Sequence, residues 1–296
     1  MATCDVLCIG DIVLDINFLI PDRSQEFLGH CWVAKEVDIR VGGSGYNTAV
    51  GCSRLGNNVV FVSNVGNTSF IPLFHQSCKQ EGLDYYLAEH GNGCVTGVGL
   101  VVPDTDITFV TYKEPEFLLQ VDDVPQAFSP KVLFISGFIL QKQSLTTVAG
   151  LVPQLRKNNP EMVVVLDPCT KLATSHELTE ILDNTDVVLT NTGREEPYLS
   201  SQAGTVIIKR GVDGSTLYTG DQAHHFSVNQ VLRPVDPSGA GDAFNAVCVY
   251  GIVQGWSWDE ILPLANKAGA MTTQRIGASP NFHSLDQIRR WEVEQR

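Results

Sequence analysis

The stretch Asp236-Pro237-Ser238-Gly239-Ala240-Gly241-Asp242-Ala243-Phe244 sets an acidic residue directly behind a small glycine-rich turn, with an apolar, helix-compatible run over 243–253. Such a turn leaves backbone N–H groups unpaired at a helix start, where the partial positive charge suits an anion. A carboxylate at Asp242 then stands beside the anion site, placed to take a proton from a hydroxyl that attacks a phosphoryl group. Phosphoryl transfer from a nucleotide to an alcohol is the first chemistry this pairing fits.

Two upstream segments carry further candidates. Val41-Gly42-Gly43-Ser44-Gly45-Tyr46-Asn47 removes side chains at Gly42 and Gly43, where a ligand can approach the backbone, and offers Asn47 as donor and acceptor near a helix start. It lacks the GxxxxGK[ST] order of a P-loop, so no Walker lysine is assigned. Gly10-Asp11-Ile12-Val13-Leu14-Asp15 follows the first strand, at the end where an α/β fold opens its crevice. A carboxylate there can accept from sugar hydroxyls. Asp11 reads equally as a solvated turn residue, whereas Asp15 lies inside an apolar run.

These residues need a scaffold, and the chain describes one. Short apolar runs at 6–9, 59–65, 98–102, 107–112, 132–136, 163–167, 187–190 and 206–209 alternate with helical spacing at 47–55, 71–81, 145–157, 176–183 and 242–254. Near-continuous apolar strands between helices predict a doubly wound α/β domain, its mainly parallel sheet covered on both faces. Segments 17–41 and 93–117 are strand-like but have no helix. They predict a small antiparallel sheet standing off the main body as a lid. No repeat or flexible linker divides the chain, so residues 1–296 are expected to form one domain.

Composition narrows the function. A formal net charge of -13 without a basic run excludes nucleic acid as a partner. No apolar run has membrane-spanning length. Val6-Leu7-Cys8-Ile9, with Asp5 beside it and no basic segment before it, reads as a core strand and not a signal peptide. Eight cysteines without a CxxC pair read as reduced thiols of a cytoplasmic protein.

Taken together, Gly10-Asp11 with Asp15, Gly42-Gly43 with Asn47 and Arg54-Leu55-Gly56, and Asp236 with Gly239-Ala240-Gly241-Asp242 resemble the ribokinase (PfkB) family of carbohydrate and nucleoside kinases, from Val6 to about Pro280. The resemblance implies a ribokinase-like fold, ATP as phosphoryl donor and Mg²⁺ as its metal. It implies that Asp242 is the general base, that Gly239, Ala240 and Gly241 form an anion hole, and that Asp15, Gly42, Gly43 and Asn47 contact the sugar. Lys209-Arg210-Gly211-Val212-Asp213-Gly214 is similar to the family's nucleotide loop, with Lys209, Gly211 and Gly214 in register, and Asn266 to the position flanking adenine. Gly277, with carbonyls near Asp236, resembles a loop that holds a monovalent cation such as K⁺ in relatives.

Two segments depart from the pattern. The family's Asn-x-x-Glu, which organises magnesium and phosphate, appears as Asn191-Thr192-Gly193-Arg194-Glu195. Glu195 is assigned the indirect Mg²⁺ role, while the Asn position falls to Asn191 or Thr192. Asp167-Pro168-Cys169-Thr170-Lys171 keeps the Asp-Pro of a common motif but not its Asn and Arg.

Kinases of phosphosugars need basic residues to hold the existing phosphate. Here the lid segments are acidic or apolar around Asp104, Asp106 and Glu114, with Arg40 and Lys113 as the basic residues placed to contribute. A small neutral sugar such as ribose, a ketose or a ketoaldonate is the expected acceptor, phosphorylated on a hydroxyl, preferably a primary one. The alternative is an adenosine-like nucleoside, with Phe18, Trp32, Phe109 and Tyr112 stacking on its base; these aromatics equally suit lid packing or a homodimer through the lid. A non-catalytic relative binding a ligand or partner is opposed by Asp242 and its intact turn. A Rossmann dehydrogenase is opposed by the absence of GxGxxG.

Overall fold

Each central strand carries apolar side chains on both faces, and that pattern dictates the layering. In a computed structural model, residues 2–19, 33–91, 96–101, 108–112, 119–125, 127–137, 142–169, 176–193, 196–199, 203–228, 234–278 and 282–291 are described. Along β1 (Ala2–Ile9), Val6 and Cys8 pack into one apolar cluster and Leu7 and Ile9 into the other. The period-two alternation therefore feeds two cores, one on each side of the sheet.

The main sheet has nine strands, in the order β13-β12-β11-β10-β9-β8-β1-β4-β5. Those from β4 (Val59–Asn64) and β5 (Asp84–Ala88) through β1 to β8 (Phe128–Ser136), β9 (Val163–Asp167), β10 (Val187–Asn191) and β11 (Thr205–Lys209) are parallel. β12 (Ser215–Thr219) and β13 (Gln222–Phe226) complete one edge antiparallel. One cluster takes side chains from α1 (Ser44–Arg54), α2 (Ile71–Gln80), α6 (Ala240–Val253), α7 (Trp258–Thr272) and α8 (Leu285–Arg290). The other takes them from α3 (Lys142–Asn158), α4 (His176–Leu182) and α5 (Glu196–Leu199). This is the doubly wound, mainly parallel α/β architecture expected from the sequence. From β1 the chain winds toward β4 and β5 first and later toward β8 to β11. A crevice is thereby left at the carboxyl ends on either side of β1. No described helix is long and apolar enough to cross a membrane.

The second sheet corrects the expectation of an antiparallel one. β2 (Val13–Leu19) pairs antiparallel with β3 (Glu36–Gly42) but parallel with β6 (Thr96–Val101), which pairs antiparallel with β7 (Thr108–Tyr112). The order β3-β2-β6-β7 makes a four-stranded mixed sheet. It starts at Val13, so Asp15 belongs to it. Strands β5, β12 and β13 and helices α5, α7 and α8 are not among those expected from the sequence. β13 is polar and exposed, and pairing at the sheet edge, not a hydrophobic pattern, makes it a strand. Of the described cysteines, Cys4, Cys8, Cys52, Cys78 and Cys248 are free thiols.

Candidate active site

Strand ends supply most of the site. β1 runs out into Gly10 and Asp11, β8 ends at Ser136, β9 at Asp167, β10 at Asn191 and β11 at Lys209. Over these ends sit the N-termini of α1 and α6. Gly43 caps α1 at φ 103, a left-handed backbone that glycine adopts without strain. A Cβ there would also press on the Asp11 backbone carbonyl.

Asp11 serves that helix start. Its carboxylate accepts from the N–H groups of Ser44 (3.2 Å) and Gly45 (3.0 Å) and from the Ser136 hydroxyl (3.0 Å). It is buried and acts as a cap supplied from the end of β1, not as a solvated turn residue.

Asp242 lies in the first turn of α6, which is capped by Gly239 without any side-chain hydrogen bond. First-turn N–H groups there are available to an anion. Ser44 Oγ donates to Asp242 Oδ1 at 2.7 Å, and Asn47 Nδ2 to Oδ2 at 2.9 Å. Burial pushes the Asp242 carboxyl up to about 7, reinforced by the negative charge of Asp167 and opposed by the two hydrogen bonds and by Lys209. Asn47 Oδ1 is buried without a donor among the described residues. It stands ready to accept from a ligand hydroxyl next to the base.

Asp15 approaches from the small sheet. Its carboxylate lies over the bare Cα of Gly42, where any Cβ would collide with it. Burial pushes its carboxyl up to about 7, helped by the charges of Asp11 and Asp242 and opposed by Arg40.

Lys209 Nζ donates to Asp167 Oδ2 at 2.7 Å and to Asn245 Oδ1 at 3.2 Å, and Asn245 Nδ2 bonds the same carboxylate. Burial opposes the ammonium charge, but Asp167 outweighs it and holds Lys209 above its ordinary value. A methyl group on Gly241 would touch Nζ at 3.6 Å, so the charge faces the α6 turn. Asn245, three residues after Asp242, and the pairing of Asp167 with Lys209 escaped the sequence reading. An acidic and an amide residue one helical turn apart was the available signal.

Beyond the turn, a groove is lined by Asn191, Lys209, Gly211, Gly214, Phe244 and Asn266, among others. It brings the four residues expected at the nucleotide together on one surface. Asn266 uses Nδ2 on the Phe226 carbonyl (2.9 Å), leaving Oδ1 as its acceptor. Asn191 lines the groove, whereas Thr192 is exposed and its hydroxyl donates to the Lys209 carbonyl. Asp236 accepts from Ser238 N (2.8 Å) and Gly277 N (2.7 Å), tying the loop at Gly277 to the turn before α6. Glu195, Trp32, Asp104, Asp106, Lys113 and Glu114 lie outside the described residues. Phe18 lies opposite Val37, on the face of β2 away from Asp15.

Comparison with known proteins gives the chain's relatives and structural neighbours. A model described as "pfkB family carbohydrate kinase" matches residues 4–284. A protein of Clostridium perfringens named 5-dehydro-2-deoxygluconokinase is 24% identical, over 99% of this chain and 94% of its own length. The ribokinase structure from Giardia lamblia superposes with a TM-score of 0.83 at 16% identity, covering 96% of this chain and 98% of that one. A putative ribokinase II of E. coli in complex with ATP and Mg²⁺ superposes at 0.76 with 21% identity, covering 96% and 97%.

Proposed function

The chain belongs to the pfkB family of carbohydrate kinases, and from that premise we propose that it moves the γ-phosphoryl group of ATP to a hydroxyl, preferably a primary one, of a small sugar. A ketoaldonate is the favoured acceptor, since the relative in Clostridium perfringens carries the name of such a kinase. The observation that carries the reading is the fixed Asp242 carboxylate, held by Ser44 and Asn47 at a helix start without a side-chain cap.

Asp15, Gly42, Gly43 and the open Oδ1 of Asn47 hold the sugar so that one hydroxyl meets Asp242. As that oxygen bonds to phosphorus, its proton passes to Asp242 and the bond from phosphorus to the bridging oxygen breaks, releasing ADP. The turn Gly239-Ala240-Gly241 and Lys209 receive the charge on the phosphoryl oxygens. Asn266, Gly211 and Gly214 hold the nucleotide. The sheet carrying Asp15 acts as a lid that excludes water, within one domain spanning the chain.

Mg²⁺ neutralises the nucleotide's phosphates when bound. Among the described residues no three His, Cys, Asp or Glu side chains converge as a metal cage, which suits an ion held chiefly by phosphates and water. Glu195 is the carboxylate proposed to act on it indirectly. Carbonyls near Asp236 and Gly277 are proposed to hold K⁺, so that replacing K⁺ by a bulky organic cation lowers the rate. Exposed Val37 and Ile39 on the outer face of β3 support a homodimer through the lid, which light scattering tests.

A coupled ADP-release assay over ribose, ketoses, ketoaldonates and nucleosides tests the proposal. Release that depends on a ketoaldonate and is abolished by Asp242→Asn is expected. Nucleotide binding without release on any acceptor would instead mark a non-catalytic relative.

A further inference from the structure

Among the described residues, Arg40 is the only basic side chain in the four strands of the small sheet. Register sets it opposite Asp15, so the two side chains leave the same face. On that face β6 presents Gly97 and Gly99, which carry no side chain, at the positions paired with Asp15 and Asn17. Among the described residues, β6 therefore sets no side chain beside Asp15 on one side, and Arg40 bounds it on the other.

The guanidinium is only half used. Nε and Nη2 lie against the Asp38 carboxylate. Nη1 is shut off from solvent and has no hydrogen-bond partner among the described residues. It rests over the bare Cα of Gly277, a position any Cβ would contest. Gly277 is bound to Asp236, and its neighbour Ala278 packs on Gly239, the cap of α6. Arg40 thus reaches from the Asp15 face to the turn that precedes Asp242.

A buried guanidinium N–H without an acceptor is costly, so the site is incomplete without one. Its surroundings say what kind. Asp11 and Asp242 both lie within electrostatic range of Asp15 and disfavour its ionisation. An acidic acceptor entering that field is repelled unless a cation meets it. A planar guanidinium with an unpaired N–H group matches a carboxylate better than an ammonium does.

We propose that Arg40 recognises a carboxylate on the acceptor and so selects sugar acids over their neutral counterparts. The inference rests on the sugar-kinase reading above and adds the residue that sets its specificity. The terminal phosphate of the nucleotide is the other anion able to use the same N–H group, and the experiment separates the two.

Binding of a ketoaldonate, and of the ketose bearing a hydroxymethyl group in place of its carboxylate, is measured by calorimetry for the wild type, Arg40→Met and Arg40→Lys. Kinetics for acceptor and ATP follow. The wild type should prefer the acid. Arg40→Met should weaken the acid roughly 10- to 100-fold, the range of one charge-assisted pair. The neutral ketose and the KM for ATP should change by less than about 3-fold, below the size of a typical hydrogen bond. Arg40→Lys should fall between and carries the test if the Met variant does not fold. Equal losses on both sugars, no loss on either, a wild type that prefers the ketose or binds neither, or a loss confined to ATP would overturn the proposal. Absence of turnover on every acceptor sinks the kinase reading but leaves this binding comparison to stand or fall alone.

Discussion

Lys209 Nζ and Asp167 Oδ2 meet at 2.7 Å across the end of β10, which separates their two strands. Both side chains are withdrawn from water, 10% and 4% exposed, so this ion pair lacks the solvent screening that weakens surface pairs. Lys209→Met strands a buried carboxylate and should destabilise the fold by about 3–5 kcal/mol. Adding Asp167→Asn should recover much of that stability without recovering turnover, because the charge facing Gly241 is still missing. Urea melts beside kcat measurements decide it; a single variant with normal stability would refute the coupling.

Asp242→Asn removes the proton acceptor but keeps both hydrogen-bonding neighbours. The rate should fall about 100- to 10,000-fold, the usual span of a general base, or further. ATP should still raise the melting temperature, since the groove lies beyond the carboxylate. Near-normal turnover is the result that removes Asp242 from the mechanism.

The pH profile follows from the same carboxylate. With Asp242 pushed up to about 7, its base form grows as pH rises through that value, so kcat/KM should climb between about 6 and 8 and then level. Asp15, also pushed up to about 7, contributes to the same limb. Ser44 and Asn47 stabilise the ionised form of Asp242. Removing either donor, as in Ser44→Ala or Asn47→Ala, must raise its pKa further and shift the limb to higher pH. A limb that stays in place would show that neither bond tunes the base.

Two glycines of one turn should respond in opposite ways. Gly239 has φ 76, and a Cβ there collides with Ala278. Gly239→Ala should cost at least about 1–2 kcal/mol of stability. Gly241 is helical, and its added Cβ meets Lys209 Nζ at an ordinary 3.6 Å. Gly241→Ala should therefore melt at or slightly above the wild-type temperature while kcat drops, because the methyl group stands where phosphoryl oxygens are to be received. Equal effects on stability and rate in both variants would argue against an anion hole.

Much of the fold was legible because parallel strands announce themselves. Runs such as Val163–Asp167, flanked by helical spacing, have both faces apolar only when both are covered. The edge strand β13, Gln-Ala-His-His-Phe, has no such pattern and owes its conformation to β12. The small sheet was half legible. Its strand content shows in local composition, but the parallel pairing of β2 with β6 joins residues some eighty positions apart, which nothing local encodes.

The turn from Asp236 to Asp242 is different in kind. Glycine, alanine and aspartate at those positions restrict the backbone and supply the carboxylate whatever surrounds them, so Asp236 to Asp242 could be read as an anion site with a base beside it from sequence alone. What the tertiary structure decided is which partners face it. Asp11, a ligand or a solvated turn residue by sequence, is buried and holds the N–H groups at the start of α1. Arg40, in sequence a cation among acidic and apolar lid residues, is set by strand register on the face of Asp15. Lys209 acquired Asp167 and Asn245 only when three strand ends and a helix converged. The reason is physical. Backbone conformation and side-chain chemistry are local properties, whereas desolvation, charge pairing and the direction a side chain faces depend on segments brought together from distant parts of the chain.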